Sequence, residues 1–266
     1  MGKHKTIFYI LLLTLVPFIS GNMISVNPAT NEEEMVLISA SKEREMGRKL
    51  CEQIKKAYAL HVDPLVQKRV EEIGQKLACG SDRKDLTYWF TVLKDKKEDN
   101  YNAFAVPGGY IYIFDDLVEV LETDDNIAAV LAHEMGHIEA RHSVKRMQGS
   151  LAATALMLAV AQTGPDGGSY ESANIAIGQL LSAYSRKDER QADELSLKYI
   201  KSAGFNPDGI VGALTKLTEL RKNGPRLQYS SYKSHPYISE RIAYLRTYIN
   251  GYMDFNSYIN LVSENE

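Results

Sequence analysis

His133, Glu134, Met135, Gly136 and His137 read as HExxH, the one pattern in this 266-residue chain that fixes a local fold and a chemistry together. On an α-helix, four residues advance about 6 Å along the axis and nearly one full turn, so both imidazoles leave the same face and can reach one metal ion. Zinc suits that pair. It takes imidazole nitrogen at about 2.0–2.1 Å, and a catalytic site needs three protein ligands with a position left for water. A water so bound has its pKa lowered to about 7. Glu134, beside the two rings, is the candidate general base.

The flanking residues place the motif on a helix. Thr123, Asp124, Asp125 and Asn126 supply an N-cap and an acidic first turn, and Lys145 and Arg146 suit a last turn. Ile127, Val130, Leu131 and Ile138 form an apolar face. The expected helix runs from about Asp124 to Met147. Gly136 costs such a helix about 1 kcal/mol relative to Ala, which close approach of another backbone or of the metal shell explains. A third ligand must come from elsewhere. In the segment Tyr184 to Asp193, Glu189 and Asp193 stand four residues apart on a second expected helix, from about Ser172 to Ser202. One of the two can bind metal while the other accepts a hydrogen bond from a ligating His. Without the HExxH, the same pattern is a solvated charged face.

HEMGHIEARH followed by SRKDERQAD resembles the gluzincin metallopeptidase family of the type I CAAX prenyl proteases, HtpX and the periplasmic BepA-like proteases of bacteria. Asn102 to Tyr110 resembles that family's NAFAxPGG strand and turn, and Ser234, His235, Pro236 with Arg241 resemble its late HP and Arg element. The resemblance implies a single Zn2+ per chain held by His133, His137 and Glu189, with Asp193 orienting a zinc-bound His. It also brings His235 near the metal, either as an oxyanion donor or in the fourth zinc position, holding the enzyme latent.

Read on its own, NAFAVPGGY followed by IYI gives two strands joined by a Pro107-Gly108-Gly109 turn. Its apolar residues suit a hairpin facing the core. An exposed strand edge beside a metal could instead hold an extended peptide by main-chain hydrogen bonds. The resemblance implies the second use, with Asn102, Ala103, Phe104 and Ala105 as substrate-binding residues over the cleft. His235 without the resemblance is a surface histidine in a loop. His142 lies about 140° round a continuous helix from His137, which makes it structural and not a ligand. His4 and His61 receive no role.

With 44% hydrophobic residues and no repeats, the chain can bury one sizeable core. Lys3 and Lys5 precede an apolar run from Ile7 to Ile19, short for a membrane span and typical of a signal peptide over residues 1–21. If it is not cut, residues 7–20 serve as an anchor. The formal charge of −3 becomes −5 on loss of Lys3 and Lys5, which argues against nucleic acid and against strong attachment to anionic membranes. Cys51 and Cys79 fall on helices expected from about Ser41 to Leu60 and Asp63 to Ala78, as a disulfide or as two buried thiols. Leu151 to Ala161 reads as an apolar helix too short to span a bilayer. Thr163 to Tyr170 reads as a Gly-rich loop, a lid or a plain connection. Helices are expected from Asn206 to Leu220 and from Ile238 to Tyr248.

The expected architecture is α+β and mostly helical. The resemblance makes it a zincin-like (gluzincin) metallopeptidase domain over 22–266, with a small antiparallel sheet from Leu86–Leu93 and Tyr101–Phe114 over the active-site helix. The expected activity is that of an exported zinc metalloendopeptidase of the bacterial periplasm. Its substrates would be unfolded or misassembled proteins and peptides, its setting envelope protein quality control with envelope-protein partners, and it would bind no nucleic acid. The alternative is a latent zinc-binding, chaperone-like protein with little proteolysis.

Overall fold

The computed structural model describes residues 24–96, 99–149, 183–223 and 234–251. In chain order these form β1 (Ile24–Val26), β2 (Glu33–Met35), α1 (Ala40–Ala57), β3 (Ala59–Leu60), α2 (Pro64–Ala78), β4 (Trp89–Lys94), β5 (Ala103–Val106) and β6 (Tyr110–Phe114). Then follow α3 (Asp115–Leu121), α4 (Asp124–Glu139), α5 (His142–Gly149), α6 (Arg186–Ser202), α7 (Asp208–Asn223) and α8 (Ile238–Asn250). The fold is α+β and mostly helical. The expected signal peptide, the apolar helix from Leu151 and the Gly-rich loop after it lie outside the described residues. No helix among the described residues is long and apolar enough to cross a membrane.

The sheet is mixed where an antiparallel one was expected. Its order is β3-β4-β6-β5, with β4 and β6 parallel and the other two pairs antiparallel. Topology explains the difference. The chain leaves β4, returns along the outer edge as β5, and turns at Gly108 (φ +87°) and Gly109 (φ +101°), so β6 re-enters beside β4 in the same direction. Only glycine takes those angles freely.

Alternation along the strands splits the core. Phe90, Val92, Ala103, Ala105, Ile111 and Ile113 face one cluster, shared with α2, α3, α4, α6, α7 and α8. Phe104, Val106, Tyr112 and Phe114 face the other, against Met46, Leu50 and Ile54 of α1 and Val144 and Met147 of α5. The small Ala103 and Ala105 sit on the face that α4 crosses, while the ring of Phe104 stacks on Tyr112 at 5.2 Å on the opposite face.

α4 begins at Thr123, whose side chain accepts from the Asn126 amide, with Asp124 and Asp125 in the first turn. It does not run on to Met147. Arg141 adopts φ +58°, a conformation that costs an L-residue about 1–2 kcal/mol, and α5 restarts at His142. The buried Arg141 side chain compensates: it donates to Glu34 (2.8 Å), Glu43 (3.2 Å) and the Ile38 carbonyl (2.6 Å), tying β2 and α1 to the end of the motif helix. Glu139, fully buried, accepts from Ser81 Oγ (2.5 Å), Tyr88 OH (2.6 Å) and the Arg83 amide (3.1 Å), fastening the loop before β4.

α6 starts at Arg186, and residues 172–182 of the longer helix expected there lie outside the described residues. Ser185 is its N-cap, in a capping box with Asp188, and residues 183–185 are not helical. Cys51 and Cys79 are free thiols. Cys51 is buried and accepts from Tyr112 OH (3.0 Å), whereas Cys79, at the end of α2, is exposed, so the pair is neither the disulfide nor the two buried thiols offered as alternatives.

Candidate metal centre

α4 and α6 cross at Gly136, where the expected close approach is found. A Cβ there would meet the Ala192 carbonyl oxygen at 2.8 Å and its Cα at 3.1 Å. Only a bare Cα lets the two backbones come this near. The crossing sets the His133 and His137 rings against Glu189, in the first turn of α6.

His133 Nε2 lies 3.1 Å from His137 Nε2 and 3.4 Å from Glu189 Oε2, and His137 Nε2 lies 3.6 Å from Glu189 Oε1. His235 joins them. Its Nδ1 is 3.2 Å from His133 Nε2 and 3.0 Å from Glu189 Oε1, and its Nε2 is 3.3 Å from Glu134 Oε1. One donor atom from each of His133, His137, Glu189 and His235 lies within 4.8 Å of the others, and all four residues are buried. Donors about 2.0–2.1 Å from a tetrahedral zinc stand roughly 3.3 Å apart, so the residues fit that ion. Glu134 adds a buried Oε2 with no hydrogen-bond partner among the described residues.

His235 is therefore no surface histidine; it is 5% exposed. Its loop is drawn in because the Tyr184 amide donates to the Ser234 carbonyl (3.1 Å), linking the approach to α6 with the approach to α8. The polar run Tyr229 to Lys233 lies outside the described residues.

Asp193, one turn after Glu189, places Oδ1 2.9 Å from His133 Nδ1, away from the donor cluster. Arg241 of α8 then holds both carboxylates, with Nη2 2.7 Å from Asp193 Oδ1 and Nη1 2.7 Å from Glu189 Oε2. Burial alone pushes the His133 imidazole down, and Arg241 adds to this. The Asp193 and Glu189 carboxylates outweigh both and bring it up to about 9. His137 goes well below the ordinary range because it is buried and faces His133. Burial raises Glu189 and Asp193, yet His235 and Arg241 hold Glu189 well below the usual carboxylate range, and Arg241 and His133 hold Asp193 below it. The site is a carboxylate pair clamped by one guanidinium.

Asn102 to Ala105 enter and form β5, the outer strand, which packs on α4. Ala103, Phe104 and Ala105 are buried, so their side chains are not presented to solvent. Beside His133 and Glu134 opens an apolar pocket lined by Val130, Ile210, Ala213, Leu214 and Leu217.

The sequence alone places three neighbours no closer to the site than a structural reading of His142 and a late element containing Arg241. Tyr184 stacks on His137 at 3.8 Å and bonds Ser143 Oγ (2.8 Å), its hydroxyl pushed up to about 12 by burial. His142 Nδ1 lies 2.8 Å from His137 Nδ1. Arg241 was noted in the late element but given no partner. Its place three residues after Ile238 and four before Leu245, on an apolar helix face, is the sequence signal that it must meet a carboxylate.

Two helices that bring a His pair and two Glu carboxylates to one point are an arrangement suited to a metallopeptidase. The comparisons agree, for residues 64–249 match Peptidase family M48. Metalloprotease LoiP of Escherichia coli (strain K12) is 30% identical over 182 residues, spanning 67% of this chain and 69% of its own. Metalloprotease YcaL of the same strain is 30% identical, spanning 67% and 68%. The beta-barrel assembly-enhancing protease of that strain is 24% identical and spans 80% of this chain but 45% of its own. The chain belongs to peptidase family M48 and is a metalloprotease.

Proposed function

We propose that the chain is an exported zinc-dependent metalloendopeptidase: a signal peptide over residues 1–21 and one peptidase domain of zincin-like (gluzincin) fold over 22–266, acting in the bacterial periplasm. The observation that carries the reading is the convergence of four buried donor atoms within 4.8 Å, with Glu134 beside them. His133, His137 and Glu189 would hold one Zn2+, and Asp193 would fix the ring of His133. Zinc, when bound, supplies a Lewis acid for the scissile carbonyl and lowers the pKa of the attacking water. Glu134 takes the proton from that water and delivers it to the leaving amine, so the amide bond breaks without a covalent enzyme intermediate. Asn102 to Ala105 hold the substrate backbone along β5. The name of the beta-barrel assembly-enhancing relative supports unfolded or misassembled envelope proteins as the substrate class. No nucleic acid is expected as a partner.

One observation favours a second reading. His235 Nδ1 sits among the donors where a fourth ligand belongs, so the protein could be a latent, chaperone-like zinc binder with little proteolysis. Turnover of unfolded casein separates the two. The peptidase reading predicts cleavage that stops with a zinc chelator and returns with added zinc. Cleavage that persists in the chelator, or a zinc-loaded protein that never cleaves, contradicts it.

A further inference from the structure

The ring of His137 has two sides. Nε2 faces His133 and Glu189, and Nδ1 faces His142 Nδ1 at 2.8 Å. Two bare ring nitrogens at that distance repel and two N–H groups clash, so one proton lies between them. If Nε2 of His137 gives its lone pair to a metal, a neutral ring carries its proton on Nδ1 and donates to His142. That leaves His142 with its own proton on Nε2, which lies 2.9 Å from Gln191 Oε1, an acceptor. The chain of donors runs one way and ends on α6, two residues beyond Glu189.

The placement depends on the break after α4. On a continuous helix the fifth residue after His137 would point about 140° away. The left-handed turn at Arg141, held by Glu34 and Glu43, swings His142 back behind its neighbour, where it is 3% exposed. Tyr184 covers the flat face of His137 at 3.8 Å, so stacking sets the ring plane and His142 sets its rotation. His133 has the matching support from Asp193.

Building on the zinc reading above, we propose that His142 is a positioning residue that accepts the Nδ1 proton of His137, is itself aligned by Gln191, and so keeps Nε2 of His137 free for the metal. The test is zinc affinity, measured by competition with a chromophoric chelator, alongside thermal melting of the metal-free full chain. His142→Ala should weaken zinc binding about 10- to 100-fold. His142→Asn, whose amide oxygen falls near the place of Nδ1, should bind zinc clearly tighter than His142→Gln, whose polar group falls near Nε2. Should the Ala variant not fold, the Asn and Gln pair decides, because a packing role alone favours the larger Gln. His142→Ala with wild-type affinity, or Gln equal to or better than Asn, overturns the proposal. A wild-type chain that binds no zinc overturns the zinc reading itself.

Discussion

Arg241 grips Asp193 at two points, Nε to Oδ2 at 2.8 Å and Nη2 to Oδ1 at 2.7 Å. With Nη1 2.7 Å from Glu189, one guanidinium serves two buried carboxylates. Losing it leaves two buried carboxylates with only His133 and His235 beside them, and breaking buried ion pairs costs about 3–5 kcal/mol. Arg241→Ala should lower the stability of the metal-free protein by that order in urea denaturation, and Arg241→Lys should recover only part because it lacks the planar fork. A loss under about 1 kcal/mol would mean that the clamp is not structural.

Gly136→Ala tests the helix crossing. The new methyl would stand 2.8 Å from the Ala192 carbonyl oxygen, backbone that cannot rotate away, so α4 and α6 must separate. Overpacking of this kind costs about 1–3 kcal/mol. Zinc affinity should fall with stability, since the shift parts His137 from Glu189. A variant that melts and binds zinc like the wild type would place the site's rigidity elsewhere.

His235→Ala distinguishes a plug from an oxyanion donor. With Nδ1 among the donors, the plug role predicts a rise in basal peptidase activity with zinc retained. A fall by about 10²-fold in kcat is the signature of lost oxyanion stabilisation. The structure favours the rise, since the ring presents a nitrogen to the ligand cluster itself.

Alkaline pH should loosen the fold at Glu139. Tyr88 is held well above its ordinary value of 10.0, first by burial and then by the Glu139 carboxylate, and Tyr199 is raised by burial and by Glu139 and Asp82. Both bind their protons more tightly folded than unfolded, so their contribution is whole below about pH 10 and is lost as pH climbs beyond it. Tyr88→Phe removes one titrating group but leaves Glu139 a donor short. It should cost about 1–3 kcal/mol at neutral pH and flatten the decline above pH 10. Melting temperatures across that range check it, and an unchanged slope would remove Tyr88 from the account.

Much of this centre is legible in the sequence because local rules dictate it. The four-residue spacings of His133 to His137 and of Glu189 to Asp193 set shared helix faces, and Gly136 announced a close backbone. What escaped depends on distant partners. The break at Arg141 is stabilised by Glu34 and Glu43, roughly a hundred residues earlier, so helix periodicity could not foresee it or the return of His142 to the site. The parallel pairing of β4 with β6 likewise follows from where β5 runs in space, which alternation along one strand does not encode. Arg241 and Tyr184 find their roles only once α6 and α8 dock.

The most direct test of the account is paired zinc content and peptidase activity for the wild type and Glu134→Gln. Glu134 stands beside the donors and is assigned to proton transfer, with His133, His137 and Glu189 left to hold the ion. The account predicts about one zinc per chain in both proteins, with activity at least about 10²-fold lower in the variant. Zinc lost together with activity, or activity that survives the substitution, would contradict it.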